Sequence, residues 1–173
     1  MKQLFLTLFC TAFALSGAPP AVGDRPPAFS LKNLEGVNRQ LGDGPVVLLV
    51  LRGFPGYQCP LCNRQVMDFV KAGPEFAKAG VRVVMVYPGP PDVAQAKANE
   101  FVKDKNLPQH FELLVDPNYV FTNLFDLRWD APNETAYPST FVIDNKGVIT
   151  FAKISNSHGG RTTAAEVLAA LKR

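Results

Sequence analysis

Val46-Val47-Leu48-Leu49-Val50-Leu51-Arg52, then Gly53-Phe54-Pro55-Gly56-Tyr57-Gln58, then Cys59-Pro60-Leu61-Cys62 is the stretch on which the reading of this chain turns. The opening apolar run has no acidic residue and no alternation. That pattern belongs to a central strand covered on both faces. The Gly- and Pro-containing segment after it reads as a loop. Pro60 marks a helix start, because a first-turn residue needs no N–H donor. The helix is predicted to begin at Cys59 or Pro60 and to run to about Ala79, bent or broken at Gly73-Pro74. This puts Cys59 at the N-cap and Cys62 at the third helical position. Free backbone N–H groups and the positive helix end stabilise a thiolate there. Arg52 and Arg64 are candidates to add positive potential. A thiolate, not a thiol, is the attacking species in sulfur chemistry.

Working outward, residues 24–28 are Pro-rich, and residues 29–31 and 37–41 suit a small hairpin around Glu35-Gly36. Residues 42–45 are turn material. Residues 81–87 form a second buried strand, and Asp92 is placed to cap a helix reaching about Lys105. Residues 111–115 make a short strand, with turn chemistry at Asp116-Pro117-Asn118. A short helix is predicted over residues 119–127 and irregular chain over 128–137. Residues 140–143 and 148–154 read as two strands joined by the turn Asp144-Asn145-Lys146-Gly147. Thr163-Ala164-Ala165-Glu166 is a capping box for a last helix. Strands alternating with helices and ending in a hairpin imply an α/β domain with a central mixed sheet and helices on both faces.

The chain ends are read separately. Lys2, an apolar run from Leu4 to Leu15, and small residues through Gly23 have the layout of a secretory signal peptide, cleaved somewhere over 16–23. The folded domain is then residues 24–173, placed in a secreted or periplasmic setting with no stable membrane insertion after cleavage. Cys10 leaves with the leader, so the remaining cysteines lie in one motif. A lone close pair is not a disulfide scaffold. At 173 residues and 47% hydrophobic composition the chain can bury one substantial core. The formal charge of +3, with no Lys/Arg cluster longer than a pair, excludes the electrostatic footprint of a nucleic-acid binder.

Three bland uses of the pair stand beside a redox one. A permanent brace closing so short a loop would contribute only about 2 kcal/mol. Structural zinc needs four ligands, and the motif supplies two. Copper(I) accepts fewer soft ligands, so Cys59, Cys62 and His158 make a copper-chaperone reading. No cofactor is otherwise called for. His110 reads as a surface or strand-end residue. His158-Gly159-Gly160-Arg161 is either a flexible turn or an anion contact at the last helix. Asn133-Glu134-Thr135 fits a glycosylation sequon.

The strand–loop–helix residues 46–63, the stretch Thr140-Phe141-Val142-Ile143-Asp144-Asn145-Lys146-Gly147 and His158–Arg161 together resemble the peroxiredoxin-like branch of the alkyl hydroperoxide reductase/thiol-specific antioxidant (AhpC/TSA) family, within the thioredoxin-fold superfamily. The resemblance implies a thioredoxin-like fold and thiol-dependent oxidoreductase chemistry. It implies two site assignments. In the peroxidase register Pro55 is the motif proline and Cys62 the peroxidatic cysteine. Cys59 then stands where a hydroxyl residue belongs and would resolve the sulfenic acid. Pro138 occupies the place of an active-site Arg, with Arg52 and Arg161 the first candidates to replace it. In the reductase register Cys59 attacks and Cys62 resolves. Pro138 is then a cis-proline against the pair, and the Tyr137 backbone pairs with a bound substrate chain. The strand lacks the buried carboxylate of thioredoxins. The expectation is an exported enzyme of dithiol–disulfide exchange, with thiol peroxidase as the alternative. Its partners are protein or small-molecule disulfides, or hydroperoxides, together with an external thiol reductant.

Overall fold

The computed structural model describes residues 17–42 and 44–172. Most of the leader read over residues 1–23 lies outside them. The strands are β1 (Leu31–Asn33), β2 (Asn38–Arg39), β3 (Val46–Val50), β4 (Arg82–Gly89), β5 (Phe111–Pro117), β6 (Ser139–Ile143) and β7 (Ile149–Ile154). The helices are α1 (Pro60–Lys71), α2 (Gly73–Lys78), α3 (Ala94–Val102), α4 (Val120–Leu124) and α5 (Ala164–Ala170). The described strands form one sheet in the order β2-β1-β5-β4-β3-β6-β7. β3, β4 and β5 run parallel, while β6, β7, β1 and β2 pair antiparallel. This is the mixed, thioredoxin-like α/β sheet expected from the sequence.

β3 is buried along its whole length because its two faces serve different cores. Side chains alternate across a strand. Val47, Leu49 and Leu51 pack on Val66 and Phe69 of α1, Phe76 of α2, Phe101 of α3 and Val167 of α5. Val46, Leu48 and Val50 face Phe29 and Phe121, Phe125 and Leu127 of the α4 region. Stacked rings lie at the centre of both layers, Phe69 on Phe76 at 5.4 Å and Phe121 on Phe125 at 4.0 Å. The break expected at Gly73-Pro74 is present, and the His110 ring bonds the Gly73 carbonyl at 3.0 Å. That fixes His110 in the fold, away from the cysteines.

One cap assignment changes, and a second helix takes a cap that the sequence reading did not assign. α3 starts at Ala94 with Val93 as its N-cap, not Asp92, and no side chain caps it. The Pro90 carbonyl takes the Val93 and Ala94 N–H groups at 3.2 and 2.8 Å, leaving the Asp92 carboxylate no such role. At α4 the cap comes instead from Asp116, read as a turn residue. Its carboxyl oxygens accept from Phe121 and Thr122 N–H at 2.9 and 3.0 Å. Half of the capping box at α5 forms: Thr163 Oγ1 accepts from Glu166 N–H at 3.2 Å, while the Glu166 carboxylate turns to Lys153 at 3.0 Å.

The folded chain reaches back into the leader region. Pro20 is buried. Gly23 N–H donates to the Ile149 carbonyl and Ile149 N–H to the Asp24 carbonyl, both at 2.9 Å. Cleavage after Ser16 leaves these bonds in place, whereas cleavage after Gly23 removes the first.

Candidate active site

Beyond β3 the chain stays tied to β4. Leu51 N–H donates to the Val86 carbonyl and Phe54 N–H to the Pro88 carbonyl, each at 2.9 Å. Between them Gly53 has φ +67°, and a Cβ there would lie 1.9 Å from the Pro88 carbonyl oxygen. Only glycine fits so tight an approach in the left-handed region. The chain then swings through an exposed Gly56-Tyr57 to Cys59.

Cys59 is the N-cap of α1, in extended conformation, with Pro60 at the first helical position. Both cysteines are free thiols. Cys59 is 3% exposed and Cys62 0%. Their surroundings drive them apart electrically. A hydrogen bond from the Cys62 thiol, helped by the Cys62 N–H and the Arg161 charge, outweighs burial and lowers the Cys59 thiol to about 5. Burial, reinforced by the neighbouring Cys59 sulfur, pushes the Cys62 thiol well up. The pair therefore holds one proton across the neutral range, with the negative charge at the helix end.

Two guanidinium groups face this charge. Arg161 Nη2 lies 3.8 Å from Cys59 Sγ. Its Nη1 donates to Gln65 Oε1 at 3.2 Å and its Nε to the His158 carbonyl at 3.0 Å. Gln65, on α1, donates in turn to the Thr162 carbonyl and hydroxyl. The helix carrying the cysteines thus also aims the arginine. Arg52 is 2% exposed and fully bonded. It donates to Glu134 Oε2 at 2.6 Å, Tyr57 Oη at 2.7 Å and the Asn133 carbonyl at 2.5 Å, with Cys59 also within its reach. Its own carbonyl accepts from the Thr135 hydroxyl.

Glu134 joins this guanidinium to the outer wall. Its Oε1 lies 2.7 Å from His158 Nε2. Burial would raise the Glu134 carboxyl, but the bonds to Arg52 and His158 prevail and hold it below the ordinary value. Trp129 stacks on Tyr137 at 4.8 Å and meets the His158 ring at 5.2 Å. On the opposite side Tyr87, buried beside Cys62, donates to Gln58 Oε1 at 2.7 Å. Burial first, then the negative charge of the neighbouring cysteine pair, raises this phenol.

The residues named from the sequence divide accordingly. Cys59, Cys62, Arg52 and Arg161 come together. Pro55 is half-buried in the β3–α1 loop, and Arg64 is exposed on α1 and joins nothing at the pair. Pro138 is not a cis-proline: no cis peptide bond occurs among the described residues. The trans link lets the chain run extended from the Arg128–Ala136 bridge into β6, with the Pro138 carbonyl accepting from Ser155 N–H at 2.9 Å. The Tyr137 backbone is already occupied. Its N–H donates to the Leu127 carbonyl at 2.9 Å and its carbonyl accepts from the Ser139 hydroxyl at 2.8 Å. The copper grouping does not form. The His158 ring is turned to Glu134 and Trp129, and no three His, Cys, Asp or Glu side chains among the described residues converge as metal ligands.

Glu134, Tyr57, Gln65 and Trp129 were not found from the sequence. One signal for Glu134 existed. An arginine at the end of a wholly apolar strand has to find a carboxylate if it is to stay buried.

A profile of the AhpC/TSA family matches residues 22–152. The chain belongs to the AhpC/TSA family. A wheat (Triticum aestivum) relative, "Peroxiredoxin Q, chloroplastic", is 30% identical over 158 residues, covering 82% of this chain and 68% of its own. Among solved structures, peroxidoxin BcpB from Mycobacterium tuberculosis superposes with TM-score 0.70 at 24% identity, covering 87% of this chain and 96% of that one. Reduced Prx3 from Vibrio vulnificus in complex with H2O2 superposes with TM-score 0.74 at 21% identity, covering 88% and 96%. The protein is thus a peroxiredoxin-family enzyme. Within the AhpC/TSA family its site differs from the pattern described above in two linked ways. A second cysteine replaces the hydroxyl residue three positions before Cys62, and the guanidinium at the thiolate comes from the loop before α5.

Proposed function

We propose that this chain is a thiol peroxidase that reduces hydroperoxides with the Cys59–Cys62 pair and is recharged by an external thiol reductant. The observation that carries the reading is two reduced, mutually bonded thiols in the first turn of α1 with a guanidinium 3.8 Å from one sulfur. A peroxide needs two things from such a place. It needs a thiolate at neutral pH, which the pair supplies by sharing one proton. It also needs positive charge where the leaving oxygen becomes anionic, which a fixed guanidinium provides at its most effective in a water-poor site. One sulfur becomes a sulfenic acid, and the other displaces water to close a disulfide. Both sulfurs belong to one helical turn, so closure requires no displacement of α1.

The test is steady-state consumption of hydrogen peroxide and of an alkyl hydroperoxide with dithiothreitol as reductant. Turnover should vanish when both cysteines become serine, and peroxide-treated wild type should carry a 59–62 disulfide in peptide mapping. Absence of turnover in the wild type refutes the reading.

Dithiol–disulfide exchange is the second reading. The low thiol at an N-cap favours it, as such a sulfur attacks disulfides well. Burial of Cys59, the trans Tyr137–Pro138 link and the occupied Tyr137 backbone work against docking a bulky substrate disulfide. Faster reduction of a protein disulfide than of peroxide would reverse this order. Export to an oxidising compartment is part of the proposal, and rests on the leader pattern of residues 1–23.

A further inference from the structure

We infer that Cys59, not Cys62, is the sulfur that attacks the hydroperoxide, that Arg161 is the cation acting on it, and that Cys62 resolves. The inference rests on the peroxidase reading and reverses the roles that the family register assigns. Two geometric facts carry it. Cys62 has no exposed surface at all, walled by α1, β3 and Tyr87, whereas Cys59 retains a small exposure at the helix end. Arg161 Nη2 points at Cys59 Sγ, at 3.8 Å, and Arg161 itself is only half-buried, so a small molecule arriving from solvent meets sulfur and guanidinium together. The electrostatics described above point the same way.

The cycle then balances as follows. The Cys59 thiolate attacks the distal oxygen of ROOH. The S–O bond forms and the O–O bond breaks, and the electron pair departs on RO⁻, which Arg161 hydrogen-bonds until water protonates it to ROH. Cys59 is oxidised to sulfenic acid, and its charge is gone. That removes one of the influences holding Cys62 protonated. The Cys62 sulfur then attacks Cys59, its proton leaves with the sulfenic hydroxyl as water, and the disulfide forms. A dithiol reductant attacks the reachable sulfur, Cys59, releasing Cys62; its second thiol then frees Cys59, and the reductant leaves as a disulfide.

The experiment uses reduced full-length protein and a sulfenic-acid probe after one pulse of hydrogen peroxide. Cys62→Ser should still accumulate sulfenic acid on Cys59, and Cys59→Ser should react at Cys62 more than about a hundredfold slower than Cys62→Ser reacts at Cys59. The wild type provides a check that needs no variant. Limiting iodoacetamide at pH 6 should mark Cys59 at least about tenfold over Cys62 in peptide mapping. Fast oxidation of Cys62 in Cys59→Ser, or preferential alkylation of Cys62, overturns the assignment while leaving the peroxidase reading intact. A wild type that forms sulfenic acid on neither cysteine and consumes no peroxide overturns both.

Discussion

Glu134 Oε2 sits 2.6 Å from Arg52 Nε, and the two side chains, 82 residues apart in the chain, are both withdrawn from solvent. The pair fastens the segment between α4 and β6 to the end of β3, beneath Cys59. Its second oxygen reaches His158, whose carbonyl positions Arg161. Loosening Glu134 therefore disturbs both guanidinium groups at the thiols.

Glu134→Ala leaves the Arg52 charge buried without its partner. Breaking such a pair from one side removes about 3–5 kcal/mol. Urea denaturation should show that loss, and Glu134→Gln, which keeps a hydrogen-bond acceptor, should lose less. An unchanged midpoint would mean that Arg52 is adequately held by Tyr57 and Asn133.

Arg161→Ala should raise the midpoint of the Cys59 titration and slow its reaction with peroxide by on the order of a hundredfold, the size seen when one fixed donor to a developing oxyanion is removed. Arg161→Lys should recover the titration better than the rate, because an ammonium restores charge but not the fork held by Gln65 and His158. Thiolate absorbance near 240 nm reads the first quantity and stopped-flow peroxide consumption the second. Equal recovery of both would reduce Arg161 to a point charge.

The cysteines give reduced and oxidised protein different stability against pH. Cys59 is depressed to about 5 in the folded state. From there up to the unfolded thiol value the unfolded chain binds the extra proton, so stability of the reduced form rises with pH and then levels. That stability is lost as pH falls through about 5. Cys62 is raised, so it has the opposite sign: above the unfolded thiol value the unfolded chain sheds a proton that the folded chain keeps, and stability falls. The midpoint of thermal unfolding for reduced protein should climb between pH 5 and the ordinary thiol range and turn down beyond it. The oxidised protein, with neither thiol, should lack both slopes.

Gly53→Ala forces a Cβ onto the Pro88 carbonyl oxygen while the backbone sits at φ +67°. The left-handed conformation alone disfavours alanine by about 1–2 kcal/mol, and relief of the overlap means pulling the β3–α1 loop off β4. A loss on the order of 3 kcal/mol or more is expected in denaturant unfolding. Peroxide turnover should fall in the protein that remains folded. Full stability and activity would show that the loop has room the structure does not display.

What was legible in the sequence was what neighbouring residues decide between themselves. Pro60 settles where α1 starts, and the start of α1 settles that Cys59 is an N-cap and Cys62 lies one turn inside. The unbroken apolar run before them shows β3 to be covered on both faces. What was not legible depends on partners that only folding brings near. Glu134 looked like the middle residue of a sequon, because nothing within ten positions tells it that Arg52 is waiting. Pro138 fixes its own φ, but its peptide isomer is set by the chain on either side, here a bridge behind and β6 ahead. Asp92 lost its cap to a carbonyl two residues away, a local competition that composition does not rank. Arg161 was visible as a candidate on two grounds, the alternative anion-contact reading of residues 158–161 before the last helix and the Pro138 that stands where an arginine was expected.

Trp129 is the one tryptophan of the chain, and it leans on Tyr137 and His158 at the rim of the thiol site. All indole emission from this protein thus originates at a single address. An experimenter needs no attached dye: the molecule carries its own lamp beside its reactive sulfurs, and any oxidant, reductant or protonation event that disturbs that rim has a colour to be read.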